Sequence, residues 1–103
     1  MKELQNVTTD SIGQCKDRAL IRITARLSQV SIKHTRTAGD MAIAMLGGAP
    51  EPVDIIIFPD AYRAAREIIV ENSLVTIEGQ IEDSRPEITL KLMVERISPA
   101  PEK

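Results

Sequence analysis

"VDIIIFPDAYRAAREIIVENSLVTIEGQI", residues 53–81, decides between two architectures. An apolar run from Val53 to Phe58 stops at Pro59, a helix-spaced segment follows, and an alternating run then resumes. A strand, a helix and a second strand open many crossover enzyme folds, in which strands and helices alternate along the whole chain. The same three elements also describe one helix closing the end of a small β-barrel. The residues on either side of this stretch choose between them.

Within the stretch, Pro59 lacks an amide hydrogen and ends the strand. Pro59 or Asp60 opens a helix of about ten residues, with Ala61, Ala65, Ile68 and Ile69 at helical spacing. Asn72 suits the left-handed residue after it. "VDIIIF" is apolar on nearly both faces, which fits a strand with the barrel interior on one side and other protein on the other. Phe58 accordingly reads as core, and Tyr62 as a half-buried helix residue whose hydroxyl reaches solvent. In "SLVTIEGQI" (73–81), Val75, Ile77, Gly79 and Ile81 face inward while Thr76, Glu78 and Gln80 face outward. Gly79 marks a bend or a close approach at a barrel corner.

Upstream, "ALIRITARLSQVSI" (19–32) alternates strictly, with Ile21, Ile23, Ala25 and Leu27 on one face and Arg22, Thr24, Arg26 and Ser28 on the other. Val30 and Ile32 then take the opposite parity, which predicts a bulge near Ser28 and Gln29. "KHTRTAGD" (33–40) is a turn, "MAIAMLGG" (41–48) a second strand, and the two prolines of "APEP" (49–52) enforce a tight connection. Downstream, "EDSRPE" (82–87) is a turn. "ITLKLMVERI" (88–97) is a fifth strand with Ile88, Leu90, Leu92 and Val94 inward. Residues 1–17 read as an N-terminal arm or linker with a helical turn near Thr9 or Asp10, 18–97 as the domain, and 98–103 as a tail without structure.

Five strands and a single helix, between the third and fourth, favour the barrel over the crossover fold. This is the element order of an all-β, five-stranded Greek-key barrel, the OB-fold.

Composition fits a single domain: 103 residues, 43% hydrophobic and 27% charged. The chain has no apolar run long enough to span a bilayer and no signal-peptide stretch at its start, so a cytoplasmic location is expected. Cys15 is the only cysteine, which excludes an intrachain disulfide and a cysteine metal cluster. It reads as an inert small residue. Net charge is −2, yet Lys16, Arg18, Arg22, Arg26, Lys33 and Arg36 face only Asp17 within residues 16–36, a local balance of +5. The candidate nucleic-acid contacts are therefore Arg22 and Arg26 on the first strand, Lys33, His34 and Arg36 in the following loop, and Arg85 and Lys91, with Arg96 nearby. A few phosphate contacts of this kind give weak, salt-sensitive binding without sequence preference. The competing reading is a set of solubilising charges on an exposed sheet face.

No cofactor or metal is expected. His34 is the sole histidine and has no Asp or Cys at metal or triad spacing. Glu82 and Asp83 are adjacent and point to opposite faces if extended. Gly47 and Gly48 lack the lysine and helix start of a phosphate loop.

The run "GDMAIAMLGGAPEPVDIIIFPDAY" with "VTIEGQIE" and "ITLKLMVERI" resembles the OB-fold module of the bacterial DNA polymerase III alpha subunit, within the wider tRNA-anticodon-type OB superfamily of nucleic-acid-binding modules. The matching positions are Gly39, Leu46, Asp54, Ile55 to Ile57, Phe58, Pro59, Tyr62, Glu78 and Gly79, and the resemblance covers residues 18–97. It departs at Gly47 and Gly48, where that family places acidic residues, and at Ile43, where it commonly has an aromatic. The resemblance implies a non-catalytic module that holds single-stranded DNA during DNA replication, alongside other replication proteins or the rest of a polymerase. If the chain is a fragment, the parent implied is a DNA-directed DNA polymerase, a transferase working with a sliding clamp. The alternative is a protein-interaction or structural OB module without nucleic-acid binding. The sequence leaves the oligomeric state open.

Overall fold

The computed structural model describes residues 4–101. Strands β1 (Gln5–Val7), β2 (Leu20–His34), β3 (Asp40–Leu46), β4 (Val53–Ile57), β5 (Leu74–Glu82) and β6 (Leu90–Pro99) are joined by one α-helix, α1 (Pro59–Ala65). Short 3₁₀ turns occupy Ile12–Gln14 and Arg66–Ile68. Five strands close in the order β2, β3, β4, β6, β5 and back to β2. Every barrel pairing is antiparallel except β4 with β6. This is the expected OB-fold, with the helix between its third and fourth barrel strands.

Closure depends on β2, which pairs with β5 over Leu20–Arg26 and with β3 over Leu27–His34. The change of partner occurs at the predicted bulge, where the register shifts between Ser28 and Ser31 and Gln29 takes φ 53°. A bulge bends and twists a strand, allowing one strand to serve two sides of a barrel. It also frees amides. The Glu71 carboxylate accepts from the amides of Gln29 (2.9 Å) and Val30 (3.0 Å). These two bonds hold its pKa below the ordinary carboxylate value.

The alternating residues fill the interior as expected: Ile21, Ile23, Leu27, Ile55, Ile57, Ile77, Ile81, Leu90 and Leu92 are fully buried. Each contributes roughly 1.5–3 kcal/mol relative to exposure. Gly79 is required by close approach, because a Cβ there would stand 2.3 Å from the Met93 carbonyl oxygen.

Several expectations are corrected. The segment read as an arm is largely part of the fold: β1 pairs in parallel with Ile21–Ile23 of β2, and Ile12 is fully buried. Its helical turn lies at Ile12–Gln14, just beyond the expected start. Met1–Glu3 lie outside the described residues. At the other end, Ser98 and Pro99 continue β6 opposite Thr76 and Val75, while Glu102 and Lys103 of the expected tail lie outside the described residues. Ile88 precedes β6 and is half exposed rather than inward. Phe58 is 41% exposed, because it sits at the helix N-cap after the last inward residue, Ile57. The helix itself has no fully buried residue; Ala61, Tyr62 and Ala65 on it and Ile68 in the following 3₁₀ turn pack partly against the core, and Ile69, just beyond, is buried in it. Asn72 adopts the left-handed conformation expected of it, with φ 69°.

Candidate nucleic-acid interface

The seven candidate contacts do not form one patch. Arg22 lies on the outer face of β2 opposite Glu78 of β5, and its Nε and second guanidinium nitrogen donate to Glu78 Oε2 at 3.1 and 3.0 Å. Arg26, on the same face, donates to the Asn72 carbonyl at 2.8 Å. Thr24 and Thr76 share a hydrogen bond of 2.8 Å between them. The β2–β5 face is thus laced across its strands, and its arginines are engaged.

Arg85 is a fastening within the fold. It donates to both oxygens of Asp83 (2.8 and 2.7 Å), to Glu51 (2.8 Å) and to the Gly13 carbonyl (3.0 Å). The Asp83 amide in turn donates to Asp17 (2.9 Å). One guanidinium thereby ties the N-terminal segment, the β3–β4 connection and the β5–β6 connection together. The Arg85 side chain, then its amide, hold the Asp83 carboxyl down at about 2, and Asp83 and Glu51 raise the arginine's own pKa. Lys91, on β6, lies in register with Asp54 on one side and Glu82 on the other. Arg96 lies in register with Glu78, which Arg22 already pairs.

The remaining candidates gather at the β2–β3 hairpin. Lys33 and Arg36 are exposed and have no ion-pair partner among the described residues. His34 does have a carboxylate partner, contrary to the reading from spacing: its Nδ1 stands 2.6 Å from Asp40 Oδ1, directly across the hairpin. With 82% of its side chain exposed, this histidine is a solvated end-of-hairpin pair rather than part of an enclosed site. The Thr35 hydroxyl and the Gly39 carbonyl close the turn. Through Glu51, Arg85 is tied to the connection after β3, whereas this hairpin precedes β3, a strand about 20 Å long at the usual rise per residue.

Between these two connections runs the outer face of β3, β4 and β6. Ile43, Ile56 and Met93 form one cross-strand row, with Met41 and Met45 two positions to either side of Ile43 on β3. All five are partly exposed. In OB-folds this region and its two flanking loops are the usual ligand face. Here the face combines that apolar row with Asp54 and Lys91; none of its strand residues is aromatic, and the exposed Phe58 directly follows β4.

Residues on α1 and in the 3₁₀ turn after it escaped the sequence reading. Arg63 and Arg66 are three apart on a helical segment, a spacing that puts both on one side. Their signal was present but lay outside the basic segment. Together with Tyr62 they border a groove of about 300 Å³ against Gly39 and Asp40 of the hairpin. Among the described residues no three histidine, cysteine or carboxylate side chains group as a metal site, and no helix is long and apolar enough to cross a membrane.

Comparison with known proteins agrees with the barrel. No protein-family model matches the chain. A DNA polymerase III subunit alpha from Aquifex aeolicus is 23% identical over 75 residues, covering 73% of this chain and 6% of that protein. Among solved structures, the E. coli hypothetical protein ygiW aligns over 93% of this chain and 90% of its own, with TM-score 0.65 and 10% identity. Asparaginyl-tRNA synthetase from Entamoeba histolytica aligns over 100% of this chain and 25% of its own, with TM-score 0.66 and 13% identity. At these identities the structural likeness establishes the OB-fold. The chain spans a small fraction of the polymerase subunit and a quarter of the synthetase.

Proposed function

We propose that this chain is a non-catalytic OB-fold module that binds single-stranded DNA weakly and without sequence preference in DNA replication. The observation carrying this reading is the hairpin end: Lys33 and Arg36 are exposed and free of ion pairs among the described residues, beside the sheet face that OB-folds use for ligands. Arg63 and Arg66 lie across the adjoining groove. The likeness to a polymerase III alpha subunit supports replication as the setting, with the rest of a polymerase or other replication proteins as partners. Binding is weak because the sheet face lacks the aromatic platforms on which single-strand binders stack bases.

Fluorescence anisotropy of a labelled oligonucleotide tests this. Phosphate contacts from Lys33, Arg36 and Arg66, the three of these cations without an ion pair among the described residues, give on a single strand a salt exponent of about −2, so affinity falls roughly twentyfold between about 50 and 200 mM salt. Lys33→Ala with Arg36→Ala lowers that exponent by about 1.4. Arg22→Ala leaves affinity unchanged, since Glu78 holds that guanidinium. An affinity indifferent to salt refutes the proposal.

One observation favours a second reading. The row of Ile43, Ile56 and Met93, flanked by Met41 and Met45, is the composition of a protein-docking face rather than of a base platform. Absence of oligonucleotide binding at low salt selects that reading.

A further inference from the structure

The groove between the β2–β3 hairpin and α1 has features that the sheet face lacks. Tyr62 is the only tyrosine of the chain, and it borders this groove while packing partly against the core. Its ring is therefore held in place before any ligand arrives, and its hydroxyl makes no hydrogen bond among the described residues. Arg66 stands on the same wall without an ion-pair partner among the described residues, while Arg63 is engaged by Asp60 at 3.2 Å. On the opposite wall, Gly39 leaves open space, since a Cβ added there would meet no atom within 4 Å. Beyond the two arginines, a second groove of about 550 Å³ continues toward Ile97 and Pro99 at the end of β6. A volume of about 300 Å³ is at the lower limit of small-molecule sites, suited to one planar ring rather than to a larger ligand.

Resting on the nucleic-acid reading above, we infer that this groove holds one nucleotide of a bound strand, its base against Tyr62 and its phosphate at Arg66. The polarity follows from the charges on the two walls. Within the groove, Asp40, paired with His34 across the hairpin, disfavours phosphate on that side, whereas Arg66 attracts it; Lys33 and Arg36 lie on the hairpin outside the groove. The backbone then continues past Arg63 and Arg66, which border both grooves. A single pre-positioned ring accounts for modest affinity: one stacked base is worth a factor of about 5 to 150 in the dissociation constant.

The chain contains no tryptophan, so its intrinsic ultraviolet emission from Tyr62 reports on this groove alone. Oligodeoxythymidylate is titrated while tyrosine emission is recorded, with anisotropy of a labelled copy of the same oligonucleotide followed in parallel. The expected result is saturable quenching that tracks the anisotropy curve. Arg66→Gln, a change on an exposed side chain, is expected to weaken binding and lower the salt exponent by about 0.7. Tyr62→Phe keeps the ring and the affinity, while Tyr62→Leu weakens binding by about 5- to 150-fold. Anisotropy showing binding while tyrosine emission and the Arg66→Gln affinity stay unchanged overturns the groove and leaves the DNA reading standing. No anisotropy change even at low salt overturns both.

Discussion

Arg85 donates to three chain segments at once, and its engagement shows why a cation in an OB-fold loop need not contact a ligand. The fold favours ionised Asp83, whose pKa of about 2 lies below its ordinary 3.8. Its contribution to stability is therefore complete above pH 3.8 and is lost as pH falls toward 2. Thermal unfolding followed from neutral pH downward is expected to show a decline through that window. Arg85→Ala lowers the melting temperature at neutral pH and flattens the decline; an unchanged acid limb refutes the assignment. The glycines make separable predictions. Gly79→Ala drives a Cβ into the Met93 carbonyl and costs about 3 kcal/mol, whereas Gly39→Ala meets open space and costs about 1 kcal/mol for its positive φ. Urea denaturation of the two variants checks both the order and the size.

The bulge of β2 depends on a residue 42 positions away, since Glu71 accepts the Gln29 amide that the shifted register releases. Glu71→Gln is expected to speed hydrogen exchange at Gln29 and Val30 while leaving the amides of Ile21 and Ile23 protected; uniform protection in the variant contradicts this role. The N-terminal segment makes a stability prediction. Ile12→Ala removes a fully buried side chain and costs about 2–5 kcal/mol, whereas a cost well under 1 kcal/mol would mean that the segment is a dispensable arm. The five barrel strands and the bulge were legible in the sequence because strict alternation, and a break in its parity, are local signals. β1 was not, because its three residues, Gln5–Val7, bury no inward row and owe their place to backbone pairing with β2. The exposure of Phe58 was hidden for a related reason: hydrophobicity alone does not reveal that the strand has already ended.

Across the molecule, a net charge of −2 conceals an uneven surface whose free cations are fewer than the +5 segment suggests. Summing charge along the chain is blind to partners distant in sequence. Glu78 takes up Arg22 from 56 positions away, and Glu51 engages Arg85 from 34. The hairpin cluster of Lys33, His34 and Arg36 was legible, because these residues are neighbours in sequence as well as in space. Its continuation across α1 was not, since only the fold brings Tyr62 and Arg66 against Gly39 and Asp40. The barrel thus presents three different outer regions: a cross-linked β2–β5 face, a β3–β4–β6 face with an apolar row at its middle, and a cationic end at the hairpin and helix. The central claim is that single-stranded DNA is held at the third of these. Backbone amide chemical-shift mapping on addition of a short oligonucleotide at low salt tests it most directly. The account predicts that the largest shifts fall within residues 33–40 and 62–66 and disappear in the Lys33→Ala, Arg36→Ala, Arg66→Gln variant. Shifts centred on the β2–β5 face around Arg22 and Arg26, or no shifts at all, would contradict it.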